Sequence, residues 1–130
     1  MVQLPKLQIK QAVLETDLPD LASNYQEDYD GLLECERKIQ EAFKRIQLNP
    51  LQEGKQCRFD PLKGFRSMKV FSSSGLQRTT HSKPDLRIIY DYDSGNNSVT
   101  IICIGFRRKE LPRPADDPYS KAASRYHDLS

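Results

Sequence analysis

Residues 84–108 read PDLRIIYDYDSGNNSVTIICIGFRR. Two apolar runs rich in β-branched residues flank the polar DSGNN, a pattern that predicts a β-hairpin around a tight turn. Arginine interrupts the first run at Arg87 and closes the second at Arg107. Side chains alternate faces along a strand. Leu86, Ile88 and Tyr90 therefore share one face, and Arg87, Ile89 and Asp91 the other. On the second strand Ile102, Ile104 and Phe106 group together, opposite Ile101, Cys103, Gly105 and Arg107. With the turn centred on Gly95, Tyr92 pairs with Ser98 and Arg87 stands opposite Cys103. One face is then wholly apolar and suited to pack on helices. The other has an apolar floor, a pit at Gly105 and a cationic end, and an antiparallel sheet can leave such a face open to water. Strand rise sets Arg87 and Arg107 roughly 13 Å apart along the ladder.

The preceding strand, SMKVF (67–71), obeys the same split. Met68 and Val70 suit the core, which leaves Lys69 on the face of Arg87. Three cations over a shallow apolar floor suit an anionic, base-bearing ligand, because guanidinium forks match phosphate and apolar surface supports stacking. The alternative is a solvated sheet face with no ligand.

Upstream, KLQIKQAVL (6–14) alternates weakly and predicts a first strand with Leu7 and Ile9 on one side. Asp17 to Tyr29 shows helical spacing, with Asp17 as N-cap, and Gly31 reads as a joint between two helices. From Leu32 a second helix carries the stripe Leu32, Cys35, Ile39, Ala42, Phe43 and Ile46. Glu34–Lys38 and Glu41–Arg45 decorate it as i,i+4 pairs. Asn49-Pro50 ends it, since the residue before proline is pushed out of the helical region. Residues 51–65 read as a loop, 72–85 as a polar connection and 109–118 as a Pro-rich stretch, while YSKAASRYHDL (119–129) predicts a short closing helix. The order β-α-α-β-β-β-α gives an α+β class: an N-terminal strand and a helical pair packed on a small, mainly antiparallel sheet.

At 130 residues the chain fits a single domain spanning 1–130. The net charge of +2 is too small to argue for a nucleic-acid partner by itself. Its distribution is more informative: residues 15–36 are acidic without Lys or Arg, whereas basic residues predominate from Lys55 to Arg113. The three cysteines, Cys35, Cys57 and Cys103, fit neither a disulfide framework nor a zinc site. No stretch has signal-peptide or membrane-span character, so a cytoplasmic protein with no membrane partner is expected.

The ordered run MKVF … LRIIYDYD … VTIICIGFR … PYSKAASR resembles the RelE/ParE toxin superfamily over about residues 36–125. That family shows a lysine-bearing strand, an R-[LIV]-[LIV]-Y strand, a hydrophobic strand ending near G-x-R, and a terminal tyrosine helix. The upstream AFKRIQLNPLQEGKQCRFDPLKG is similar to the family's helix, Asn-Pro stop and loop. The resemblance implies a RelE-like fold and a ribosome-dependent mRNA endoribonuclease in which a 2′-hydroxyl attacks the adjacent phosphate. It implies no metal and no cofactor. The implied partners are mRNA on the ribosome and a cognate antitoxin. Carried over by position, Lys69, Arg87, Arg107 and Tyr119 are the implied catalytic residues. Arg66, Arg108, Lys109 and Arg113 are candidate RNA contacts.

The chain also departs from the family pattern. Ser67 stands where the family often has a second lysine, and Arg66 is the candidate replacement. The connections 72–85 and 107–119 are long, and no glutamate–histidine pair is placed, which leaves His81 as a substitute candidate. These departures motivate two further readings: a non-catalytic ParE-like gyrase poison or antitoxin- or RNA-binding member, and an α+β domain of unrelated function.

Overall fold

The computed structural model describes residues 3–58, 62–72, 84–107 and 114–126. β1 (Lys6–Ile9) leads into a π-helical turn (Val13–Asp17) and α1 (Leu18–Ser23), followed by α2 (Tyr29–Leu48), the single turn α3 (Pro50–Glu53) and β2 (Lys55–Gln56). Then come β3 (Arg66–Val70), β4 (Leu86–Asp93), β5 (Ser98–Phe106) and α4 (Pro118–Tyr126). The strands form one sheet in the order β1-β5-β4-β3-β2. β1 runs parallel to β5 and every other pairing is antiparallel, so the sheet is mixed and the expected α+β class holds. The first strand is shorter than the sequence suggested, because the chain turns helical just after Lys10.

The stripe on α2 packs as the spacing predicted: Cys35, Ile39, Ala42 and Ile46 are buried against Met68, Val70, Leu86, Ile88, Tyr90, Val99, Ile101 and Ile104. Full burial of side chains of this size is worth about 1.5–3 kcal/mol each, which makes the α2–sheet contact the main source of cohesion. Tyr90 is fully buried, and its hydroxyl donates to the carbonyl of Pro50 and accepts from the Gly54 N–H at 3.0 Å. Gly31 is not a joint. It lies in the first turn of α2, where its N–H donates to the N-cap carboxylate of Asp28 at 2.9 Å, and a Cβ there would collide with that carboxylate. The expected i,i+4 pairs also differ. Arg37 takes both Glu34 and Glu41, leaving Lys38 and Arg45 without a carboxylate partner among the described residues.

The hairpin closes through a turn at 94–97, with Asp93 Oδ1 accepting from Gly95 N at 3.0 Å and Asn97 at φ 49°. Asp93 pairs with Ser98 and Tyr92 with Val99, one step from the expected register. A β-bulge then intervenes: Tyr90 pairs with Ile101 but Ile89 pairs with Cys103, so Ile102 is the surplus residue. Its effect is to turn Ile101 toward α2 while Ile102 and Cys103 join the opposite face. Arg87 consequently stands opposite Gly105, not Cys103.

That opposite face is covered, contrary to the expectation of an open one. Ile89, Ile102 and Cys103 pack with Cys57, Leu62 and Phe65 and with Ala122 of α4; Tyr119 and Ala123 add to the cluster. The pit expected at Gly105 is filled, since a Cβ there would stand 3.2 Å from both Lys121 Nζ and Pro118 Cγ. Burial pushes the Cys103 thiol up to about 12, and its Sγ donates to the Pro118 carbonyl at 3.0 Å.

β1 ends opposite Ile101, so the outer edge of β5 beyond that point has no strand partner among the described residues. Side chains complete it. Ile104 N–H donates to Asp17 Oδ2 at 2.9 Å, Lys121 Nζ donates to Ile104 O at 3.1 Å, and Arg125 Nη1 donates to Ile102 O at 2.9 Å. Asp17 is fully buried and receives Arg125 at 2.8 and 2.7 Å and Lys121 at 3.1 Å. Burial alone would push its pKa up, but the Arg125 hydrogen bond, the Ile104 N–H and the Lys121 charge hold the carboxyl below its ordinary range. Asp17 occupies the N-cap position of α1, yet its side chain makes no cap bond. The expected cap is replaced by this edge closure. Among the described residues no helix is long and apolar enough to cross a membrane.

Candidate functional site

Strand alternation puts Ser67 and Lys69 on the α4 side of β3, because Met68 and Val70 face α2. Lys69 is the direct cross-strand partner of Arg87, and Arg87 that of Gly105. Arg107 follows β5 and continues its ladder through an N–H donated to Asp85 O at 2.8 Å. With Arg87 opposite Gly105, the two arginines are two positions apart along the ladder, about 7 Å, nearer than the hairpin alone suggested.

α4 completes the site. Asp117, fully buried, caps the helix by accepting from the Tyr119 N–H at 3.0 Å, and Pro118 follows it in the first turn. The same carboxylate takes Arg107 Nη1 at 2.9 Å. Arg107 lies over the Tyr119 ring, 5.3 Å from its centroid, and the Tyr119 hydroxyl is 3.0 Å from Ser67 Oγ. Lys69, Arg87, Arg107, Tyr119 and Ser67 thus share one sheet face in a ring, linked through the Lys69–Arg87 pairing, the Arg107–Tyr119 stacking and the Tyr119–Ser67 hydrogen bond. Only Lys69 in that ring is exposed; the others are half-buried or buried.

Arg87 is 9% exposed. Its Nη1 donates to the carbonyls of Pro84 at 3.0 Å and Leu86 at 3.1 Å, which fix the guanidinium. Its Nε is buried with no hydrogen-bond partner among the described residues. A buried donor left unpaired costs on the order of 1–3 kcal/mol. Beside the ring a groove of about 270 Å³ is lined by Lys55, Cys57, Arg58, Ser67, Lys69 and Tyr119. Three cations border it, and burial pushes the Cys57 thiol up despite nearby Arg66. Among the described residues no group of three or more His, Cys, Asp or Glu could hold a metal ion.

Arg66 lies outside the ring. It shares a face with Met68 and Val70, and its guanidinium is taken by the carbonyls of Gly54 and Leu51, with Nε to Gly54 O at 3.0 Å and Nη2 to Leu51 O at 2.8 Å. It therefore holds α3 and does not replace a lysine at position 67. His81, Arg108, Lys109 and Arg113 lie outside the described residues. The sequence reading missed the roles of Asp17, Asp117, Lys121 and Arg125: Asp117 caps α4 at Tyr119, and the other three anchor α4 to β5. The i,i+4 spacing of Lys121 and Arg125 was the available signal, since it sets both cations on one side of a helix.

No family model matches the chain, and no curated protein matches it in sequence. Among solved structures it is similar to a double arginine-to-alanine mutant of the Escherichia coli toxin RelE in the free state, with a TM-score of 0.56 and 16% identity over 95% of this chain and 98% of that one. The toxin–antitoxin complex RelBE2 from Mycobacterium tuberculosis aligns with a TM-score of 0.49 at 18% identity, over 81% of this chain and 100% of that one. The architecture is thus a mixed α+β sheet with helices on both faces. More particularly, the chain has the RelE toxin fold, and the likeness reaches beyond the 36–125 stretch in which the sequence resemblance lies.

Proposed function

We propose that the chain is a RelE-like toxin, a ribosome-dependent mRNA endoribonuclease restrained by a cognate antitoxin that covers the cationic groove. The observation that carries this reading is the ring itself: Lys69, Arg87, Arg107 and Tyr119 share one sheet face, with Lys69 paired across the strands to Arg87 and Arg107 stacked on the Tyr119 ring. In the step, a ribose 2′-oxygen bonds to the adjacent phosphorus while the bond from phosphorus to the 5′-oxygen breaks. A cyclic phosphate remains on one fragment and a 5′-hydroxyl on the other. The attacking hydroxyl loses a proton and the leaving oxygen gains one. Tyr119 orients or deprotonates the 2′-hydroxyl, and Lys69 assists the leaving oxygen. Arg87 and Arg107 stabilise the charge that builds on the pentacoordinate phosphorus, the largest electrostatic demand of the step. Lys55 and Arg58 at the groove mouth suit the flanking RNA backbone. Incubation of the purified protein with ribosomes carrying a defined message tests this. Cleavage within the decoding site is expected, and a message left intact at every protein concentration, beside an active control, overturns it.

A second reading has its own observations. Ser67 sits at a position where a lysine resembles the family pattern better, and Arg107 is already engaged by Asp117. These favour a non-catalytic member, such as a ParE-like gyrase poison. Normal translation with blocked DNA supercoiling after induction would select it.

A further inference from the structure

Two members of the ring are held by one carboxylate. Asp117 is fully buried, and its oxygens are divided: Oδ1 accepts from Arg107 Nη1 at 2.9 Å and Oδ2 from the Tyr119 N–H at 3.0 Å. The backbone that presents this carboxylate is fixed on both sides. Asp117 N–H donates to Pro114 O at 3.1 Å, and Asp117 O accepts from Lys121 N at 2.9 Å. Pro118 presets the first helical turn, while Lys121 and Arg125 tie α4 to Asp17 and to the carbonyls of β5. Arg107 is fixed at its own backbone by the N–H it donates to Asp85 O at 2.8 Å.

Capping alone does not account for an acid at this position. Serine and asparagine cap helices about as well as aspartate, and a buried carboxylate is costly unless a cation pairs with it. The charge at 117 is spent on Arg107. Nor does the ion pair withdraw Arg107 from use: its side chain remains 25% exposed while the carboxylate is fully covered. The guanidinium carbon stays 5.3 Å from the centre of the Tyr119 ring. One carboxylate oxygen thus sets where Arg107 lies, and the other sets where the helix carrying Tyr119 begins.

We infer that Asp117 is the positioning residue of the site: it registers Arg107 against Tyr119, so that the cation for the phosphate and the hydroxyl for the ribose are presented as one preassembled pair. The inference rests on the cleavage reaction proposed above. Being fully buried, Asp117 acts through its two partners and not on the substrate. Placement is where such a residue counts, since a displacement of about 1 Å at a reacting group can cost about a hundredfold in rate. A neutral capping residue at 117 would keep the helix and release the guanidinium from the ring.

The test uses the full-length protein and two variants, Asp117→Asn and Asp117→Ser, each able to cap α4 without charge. Circular dichroism and a thermal melt identify the folded variants. Nuclear magnetic resonance of the free protein reads the contact: cross-peaks between the Arg107 side chain and the Tyr119 ring are expected in the wild type and lost in the variants, with the α4 amides retained. On ribosome-bound message, kcat is expected to fall by about ten- to a hundredfold, with KM within about twofold of the wild type. A contact retained in the variants, wild-type kcat in either folded variant, or a rise in KM in place of the fall in kcat each overturns the proposal. Wild-type protein that cleaves no message overturns the reaction instead. The two failures are distinct, because the Arg107–Tyr119 contact is read without ribosomes.

Discussion

Lys69 and Arg87 are direct cross-strand neighbours on β3 and β4, one exposed and the other 9% exposed. A mobile ammonium therefore stands beside a guanidinium that backbone carbonyls hold rigidly. The pairing of a fixed donor with an adjustable one suits a phosphate that must be gripped and then released.

Arg87→Ala removes the fixed donor and a buried positive charge. Cleavage of ribosome-bound message should fall by about a hundredfold or more, the usual effect of deleting one preorganised donor to a developing anion. The fold should persist, because the residue contributes nothing to the α2 core. Single-turnover cleavage beside a thermal melt separates the two effects.

Tyr119→Phe keeps the ring under Arg107 but deletes the hydroxyl 3.0 Å from Ser67 Oγ. Stability should change by no more than about 1 kcal/mol, the net value of one such hydrogen bond, while cleavage falls at least about tenfold. Ser67→Ala removes only the partner of that hydroxyl and should produce a smaller loss. Equal rates for all three proteins would exclude the hydroxyl from the step.

Asp17 makes stability pH-dependent. Its folded pKa lies below the ordinary value of 3.8, so the stabilisation is fully present above that value and disappears as pH falls through the folded pKa. Urea midpoints should be flat from neutral pH down to about pH 5 and then decline. Asp17→Ala leaves Lys121 and Arg125 at the β5 edge without their carboxylate, so it should cost about 3–5 kcal/mol at neutral pH and flatten the decline.

Gly105→Ala places a methyl 3.2 Å from the Pro118 ring and from Lys121 Nζ. Lys121 is tied to Asp17 and Ile104 O, so neither neighbour yields freely. A loss of about 1–3 kcal/mol is expected. Proteolysis near α4 should quicken more than near α2.

The hairpin, the α2 stripe and the shared face of Lys69 and Arg87 were legible because period and turn chemistry survive folding unchanged where no bulge intervenes. The bulge at Ile102 was not. Residues 101–104 are Ile, Ile, Cys and Ile, so either parity buries apolar surface equally and no letter marks the slip. Arg66 was open to correction from the sequence itself, since it shares parity with Met68 and Val70. The covering of the second face was harder to read. It depends on where α4 lands, and the only local clues are its small Ala122 and Ala123 and the i,i+4 cations. Lys38 and Arg45 illustrate another limit: two equally good helical pairings existed, and rotamer geometry chose Arg37 as the shared partner.

α4 is nine residues long, yet it both seals the rim of β5 and delivers Tyr119 to the ring. Shortening the protein at its carboxyl end would therefore strip away the proposed reactive group and bare a strand prone to self-association in one stroke. An inert truncated chain that precipitates would speak to solubility and chemistry together, and only point substitutions can separate them.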